Sequence, residues 1–523
     1  MNQQRRFGLG AAAALAAGAL ALLGASTASA APQGFGDIDF GKTGSLTVHK
    51  YLTQTGSTVG DPSAPPAAGD FTDPVANVEF TVYPLLKDGD PIDLEDPAAW
   101  DQLKDLAPTA PCTAPTGYTL GTGTAMPKTD ASGTAKLDLA IGAYVVCETD
   151  APDYILDRAT PFVVTVPLPH DGGWVYDVHT YPKNNGAPVG KTIEEQTGTG
   201  LGSKVKYQIW NKIPSFADKL WTGYAIRDTL DSRLTANPAN NGVEKVELDG
   251  VALDASYYTV TRSGQTITVN FTAAGLAWLN DGSDATAVPP VFANTQAGKE
   301  IRVFLDTTIT SLGDGVIDNE GELWLNNPGF DPAVQPPITT PKVTTRWGNL
   351  LVQKRAEGTT GTTGRLSGAI FSVYNAADPY AADCSTAKPT GSPVAATVGG
   401  TSQTQFTSDA DGIVTIPGLF VSDSVNPVVD AAQRCYVLVE VQAPAGYVTP
   451  IGNAANTPIT IKPGTMTTAA YDIENSQQVV PGLPLTGSQA QIILILASVA
   501  GAAIVAGLLL VQRRRKTAAA GIE

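Results

Sequence analysis

Histidine, methionine and tryptophan are scarce in this chain, at 3, 3 and 7 of 523 residues. The histidines, His49, His170 and His179, fit no Ser-His-Asp order, no HExxH and no zinc spacing. A hydrolase triad or a catalytic metal therefore has no framework. There is no CxxC, no GxGxxG and no GxxxxGK[ST], so the Gly-rich stretch 197–203 reads as a turn, not a phosphate cradle. Positive charge is also short, with 33 basic against 50 acidic side chains and a net charge of -17. Setting aside Arg5, Arg6, Arg513, Arg514, Arg515, Lys516 and Glu523 at the two ends leaves 27 against 49, or -22. Such a surface repels a phosphate backbone, which excludes nucleic acid as a partner.

What is abundant is Gly (53) and Pro (38), with 43% hydrophobic residues. That mix suits turn-rich all-β modules, and the length allows roughly three domains. Arg5 and Arg6 precede an apolar run over 8–24 and a small-x-small site, Ala28-Ser29-Ala30. This order is a secretory signal peptide over 1–30, with the mature chain starting at Ala31. Outside the cell, Cys112, Cys147, Cys384 and Cys435 are expected as disulfides. The local pairing is Cys112–Cys147 and Cys384–Cys435; the other connectivities stay open. No metal ligand set is expected.

Two segments repeat. Gly44-Ser-Leu-Thr-Val-His-Lys50 and Ala76-Asn-Val-Glu-Phe-Thr-Val-Tyr83 are matched by Asn349-Leu-Leu-Val-Gln-Lys354 and Gly368-Ala-Ile-Phe-Ser-Val-Tyr374. Each segment continues through an Asp turn, Thr129–Gly133 or Ser408–Gly412, to a strand ending in Glu148 or Glu440. Each closes on Tyr176-Asp-Val178 or Tyr471-Asp-Ile473. Asp409 and Asp411 have the composition of a calcium loop, but a hairpin turn is the better reading. Between the repeats, alternating runs such as Lys204–Trp210 and Gln265–Phe271 predict further strands. Asn184–Gly190 and the Pro-rich 332–341 read as joints. The fold class is thus all-β, with three tandem Ig-like sandwiches over 31–185, 186–341 and 342–480. A terminal segment, 481–523, follows.

That segment holds Leu483-Pro484-Leu485-Thr486-Gly487, an apolar stretch Ala490–Val511 and the basic tail 513–516. The order resembles the cell-wall sorting signal of Gram-positive bacteria. Trp174–Asn184, with its Tyr181-Pro182-Lys183, resembles the pilin motif, and Tyr436–Tyr447 resembles the E-box. Together these resemble the LPxTG-anchored shaft pilins of actinomycete fimbriae and corynebacterial pili.

The resemblance implies a non-enzymatic surface subunit that needs no cofactor and is anchored in the cell wall. A pilin-specific sortase would cut after Thr486 and join it to Lys183 of an identical subunit. A housekeeping sortase would attach the basal subunit to peptidoglycan, and a tip adhesin is a further expected partner. The alternative is a wall-anchored adhesin or tip subunit, whose receptor is not legible. The family also forms Lys–Asn isopeptide bonds inside CnaA- and CnaB-type domains, promoted by a buried acid. Here that implies Lys354–Asn475 with Glu440, and Lys191–Asn319 with Asp228. Asn326 competes for the amide, and a glutamate elsewhere competes for the role of Asp228. In the N-terminal segment, aligning Tyr176-Asp-Val on Tyr471-Asp-Ile puts Thr180 where the asparagine belongs. No internal bond is expected there, despite Lys50 and Glu148.

Overall fold

Alternating apolar residues dictate strands with one face inward. The computed structural model describes residues 37–52, 59–67, 69–216, 218–479 and 488–519. The signal peptide with Arg5, Arg6 and Ala28–Ala30, and the pentapeptide Leu483, Pro484, Leu485, Thr486 and Gly487, lie outside them. Chain contacts divide the protein into two units. One runs up to Val189 and includes Asn211–Thr222 and Leu276–Ile301; the other holds the remainder.

In the first unit, β1 (Gly44–His49) continues through the short β2 (Tyr51–Leu52). It is followed by β3 (Glu79–Lys87), α1 (Pro97–Leu103), β4 (Thr134–Leu139), β5 (Gly142–Asp150), β6 (Phe162–Val166), β7 (Asp177–Thr180) and β8 (Lys183–Gly186). β1 lies between β7, parallel, and β4, antiparallel. The facing sheet has the order β6-β5-β3. Leu46, Val48, Phe80, Val82, Val146 and Val164 fill the space between the two sheets. The next residues along β5, Val145 and Cys147, point the other way into a second core with Leu85, Leu94 and Leu103. β5 is therefore buried on both faces, because the stretch from β3 through α1 covers its back.

The second unit contains all or most of β9 (Val189–Ile193), β10 (Lys204–Lys212), β11 (Tyr224–Thr229), β12 (Thr266–Phe271), β13 (Glu300–Ile309), β14 (Val316–Asn319) and β15 (Gly321–Leu325). β9-β10-β13 and β12-β11-β15 form two of its sheets. Then come β16 (Val343–Ala356), β17 (Ile370–Ala376), β18 (Ile413–Asp423), β19 (Arg434–Gln442), β20 (Asn456–Ile461) and β21 (Tyr471–Asn475). The sheet β14-β16-β18 adds β21 parallel to β16, opposite β17-β19-β20. The Pro-rich joint is not a bare tether. Ile338 and Thr339 pair with Leu323 and Glu322. β14 also pairs with β16 across the predicted boundary, Asn319 opposite Val343.

Asp409 makes a turn, as read. Its Oδ1 accepts from the backbone N–H of Asp411 and Ile413 at 2.9 and 2.8 Å. The final helix, α2 (Ser488–Ala519), carries an apolar stretch Ile495–Arg514 of mean hydropathy 2.3, long enough to cross a membrane.

Trp347 is the largest side chain buried without exposure. It meets Phe420 edge-on at 5.4 Å, and its indole N–H donates to Thr345 Oγ1 at 3.0 Å. Trp347→Ala is expected to cost about 3–5 kcal/mol, read as a lower denaturation midpoint. Trp347→Phe should recover part of the loss.

Candidate functional site

Parallel pairings, β1 with β7 and β2 with β8 in the first repeat and β16 with β21 in the second, bring the start and the end of each repeat together. They also bring polar side chains into the core. Lys354 and Glu440 are 0% and 2% exposed, with Nζ 3.4 Å from Oε2. Lys354 Nζ also donates to the Ile473 carbonyl at 3.1 Å. Asn475 is buried beside them, its Nδ2 donating to the Val448 carbonyl at 2.8 Å. Among the described residues, Asn475 Oδ1 and Glu440 Oε1 have no hydrogen-bond partner. Burial pushes the Lys354 amine down and the Glu440 carboxyl up, each offset by the opposite charge.

In the other segment of this unit, Lys191 of β9 contacts Asp228 of β11. Their side chains are 0% and 2% exposed. The Lys191 amine sits over the Tyr207 ring, 5.1 Å from its centroid. Burial lowers the Lys191 pKa and raises that of Asp228. Asn319, at the end of β14, is buried and near enough to favour the Asp228 carboxylate. Neither Asn319 Oδ1 nor Nδ2 makes a hydrogen bond among the described residues. Asn326 instead occupies a left-handed turn after β15, at φ 50°.

The first unit departs from expectation. Lys50 Nζ lies 2.9 Å from Glu148 Oε2 and donates to Asn184 Oδ1. Asn184 Nδ2 donates to Glu148 Oε1 at 2.6 Å. Lys50 and Asn184 are fully buried, and burial lowers the Lys50 amine to about 8 against the pull of Glu148. A complete Lys–acid–Asn set is therefore present, and Asn184, not Thr180, belongs to it. The reason is register. In the C-terminal repeat Asn475 faces Ala356, two residues after Lys354. In the N-terminal repeat Asn184 faces Leu52, two residues after Lys50, whereas Thr180 faces Val48. The Tyr-Asp tripeptide enters its strand four residues earlier in the first repeat. Counting along the chain does not find Asn184 either, because Lys50 and Asn184 are 134 residues apart and Lys354 and Asn475 only 121.

The Asp turns also belong to these sets. The backbone N–H of Lys50 and Lys354 donates to the carbonyls of Gly133 and Gly412 at 2.8 and 2.7 Å. Both glycines are left-handed, at φ 75° and 72°. A Cβ there would sit 2.3 and 2.7 Å from the same lysine's carbonyl oxygen. Only glycine allows that approach.

Lys183 opens β8, opposite Tyr51 and next in sequence to Asn184. Its Nζ is 5.4 Å from the Phe71 ring centroid. It borders a pocket of about 690 Å³, with Val59, Pro62, Phe162, His179 and Tyr181 among the lining. The four cysteines pair as Cys112–Cys147 and Cys384–Cys435.

Residues 41–185 match the family described as Gram-positive pilin subunit D1, N-terminal domain. Residues 475–518 match the LPXTG cell wall anchor motif. The chain is 37% identical to the type 2 fimbrial subunit of Actinomyces naeslundii, over 94% of each. It belongs to the Gram-positive fimbrial subunits. The type 1 fimbrial subunit of Actinomyces viscosus is 30% identical over 97% of each chain. The full-length major pilin SpaD from Corynebacterium diphtheriae is 26% identical, covering 85% of this chain and 99% of that one, with a TM-score of 0.48. This fimbrial subunit is a surface protein anchored in the cell wall, and its all-β, Ig-like architecture is as expected.

Removing the acid from the first set strands Lys50. Glu148→Ala should destabilise the subunit by about 3–5 kcal/mol, because a fully buried ammonium loses its counter-charge. Thermal unfolding of the purified full-length chain checks this; a shift under about 1 kcal/mol would show that Lys50 reaches solvent.

Proposed function

We propose that the chain is the repeating shaft subunit of a covalently polymerised fimbria, built from three Ig-like modules and joined through Lys183. The observation that carries this reading is Lys183 itself, presented on an ordered strand beside an open pocket. A tip subunit or a monomeric adhesin has no use for such an acceptor. A sortase cysteine attacks the Thr486 carbonyl carbon, the Thr486–Gly487 amide breaks, and a thioester forms. The neutral amine of Lys183 on another copy attacks the thioester carbonyl. The thiolate leaves, and an amide joins Lys183 Nζ to Thr486. Residues 483–485 of the incoming copy then lie beside Lys183, where the pocket offers Phe162 and Pro182.

The three buried sets act as internal cross-linking sites: Lys50–Asn184 with Glu148, Lys191–Asn319 with Asp228, and Lys354–Asn475 with Glu440. Desolvation supplies the reactive forms, since a neutral amine and a protonated acid are what a dry site favours. The amine attacks the asparagine Cγ, the acid protonates the departing nitrogen, and ammonia leaves. The acid regains a proton from the new amide nitrogen, so no cofactor is consumed. Each bond closes a loop of over a hundred residues and restricts the unfolded chain. By analogy with disulfides, the gain is about 4–5 kcal/mol per bond.

Lys183→Ala should abolish high-mass ladders on immunoblots of wall extracts while monomer export continues. Ladders that persist would remove Lys183 from the reaction. Intact mass of the purified chain should show three losses of about 17 Da each, one ammonia per amide formed. Glu148→Ala should retain two of them; two losses in the unmodified chain would return the first unit to the uncross-linked state.

A further inference from the structure

Five aromatic rings form one column beside Lys183. His179 lies edge to edge with His49, ring centroids 5.1 Å apart, and His49 stacks on Tyr181 at 5.1 Å. Tyr181 stacks on Phe71 at 5.2 Å, and Phe71 on Tyr51 at 4.9 Å. All four interplanar angles are 21° or less. The column joins β1, β2 and the stretch His179–Tyr181, which leads from β7 toward Lys183, to Phe71. Tyr181 fastens the segment 59–67, its hydroxyl meeting the Asp61 carbonyl at 3.1 Å and donating to the Ala64 carbonyl. Gly60 lies flat on the Tyr181 ring, where a Cβ would come within 2.0 Å of a ring carbon. The backbone N–H of His179 donates to the Pro62 carbonyl at 2.9 Å.

At the base of the column, His49 Nε2 and His179 Nδ1 are 2.8 Å apart. Such a bond needs one nitrogen with a hydrogen and one without. A pair in which both rings are imidazolium has two donors facing each other and cannot make it. We propose that the His49–His179 pair is a proton-released clamp that holds segment 59–67 against His179 and Tyr181, just before the strand of Lys183, at neutral pH and lets it go in mild acid. His49, His179 and Tyr181 are thus positioning residues for the acceptor lysine. Only this consequence rests on Lys183 being the acceptor; the clamp itself does not.

The surrounding charges oppose one another. Asp130 favours a proton on His49, while Asp177 and Asp61 favour and Lys136 disfavours one on His179. Asp70 and Asp61 act on Tyr181, and Asp70 acts on Tyr51. The Lys183 ammonium lies over the Phe71 ring of the same column. His170, 3.4 Å from Asp61 and 3.5 Å from Asp171, sits at the rim. Burial outweighs these charges at His49, lowering it from 6.5 to about 4, and lowers His179 as well. A proton therefore binds better after release than before. The clamp is at full strength above about pH 6.5 and weakens as the pH falls toward 4. For His49 alone, release at pH 5 is favoured about 30-fold over its neutral-pH value.

The test is hydrogen exchange of the full-length chain in detergent at pH 7.5 and 5.0, corrected for intrinsic rates. Amides of 177–181 should open up to about 30-fold more often at pH 5.0 in the unmodified chain. His49→Gln should flatten that difference, and His170→Gln should keep it. No rise, or an equal rise in His49→Gln, overturns the clamp. Should His49→Gln fail to fold, the histidine C2 proton signals of the unmodified chain decide. A His49 titration near 6.5 refutes the proposal, and one near 4 supports it. Lys183→Ala should leave the exchange pattern unchanged, so failure of the clamp and failure of the acceptor assignment read out separately.

Discussion

A lysine ammonium inside a β-sandwich is costly unless a carboxyl and a carboxamide meet it there. That constraint recurs at Lys50, Lys191 and Lys354, and much of the fold serves it. The acid comes from near the C-terminal end of a strand buried on at least one face: β5, β11 or β19. In the two repeats the amide comes from a strand parallel to the lysine's own, so that the beginning and the end of the repeat lie side by side. The Asp-Gly turns press glycine against the same lysines because a side chain would collide with their carbonyl oxygens. Burial then tunes the groups in opposite directions, lowering amines at all three sites and raising the acid at Asp228 and Glu440.

The first set has a neighbour that the others lack. Asn184 directly follows Lys183, so whatever holds Asn184 in the core also holds the backbone of Lys183. Successive residues of a strand point to opposite faces. Asn184 turns inward, and Lys183 turns toward the aromatic column and the pocket. A fixed neighbour does not keep Lys183 from reaching outward. Its backbone is anchored and its long side chain supplies the reach.

Much of the architecture was legible because it depends on local periodicity. The alternation in Gly44–Lys50 and Asn349–Lys354, the Asp turns and the cysteine spacing each announce a strand, a turn or a bridge within a few residues. Lys191, Asp228, Asn319, Lys354, Glu440 and Asn475 came from the family resemblance, and the structure buries them in two sets. Asn184 was missed because a tripeptide match says nothing about where a strand enters its sheet. The column from His179 to Tyr51 was missed for a related reason. Its rings come from positions 49, 51, 71, 179 and 181, and no spacing in the sequence links Phe71 to the other four.

By itself the sequence determined the class of this protein. A leader, a sorting pentapeptide before an apolar span and a basic tail, and two β-repeats are linear signals, read by machinery or by periodicity along the chain. Only the tertiary structure decided which residues meet. Parallel register pairs residues more than a hundred positions apart, and a slip of four residues exchanges an asparagine for a threonine with no change in the alternation of faces. The buried set of Lys50, Glu148 and Asn184 in the first unit, and the ring column around Lys183, both rest on that register.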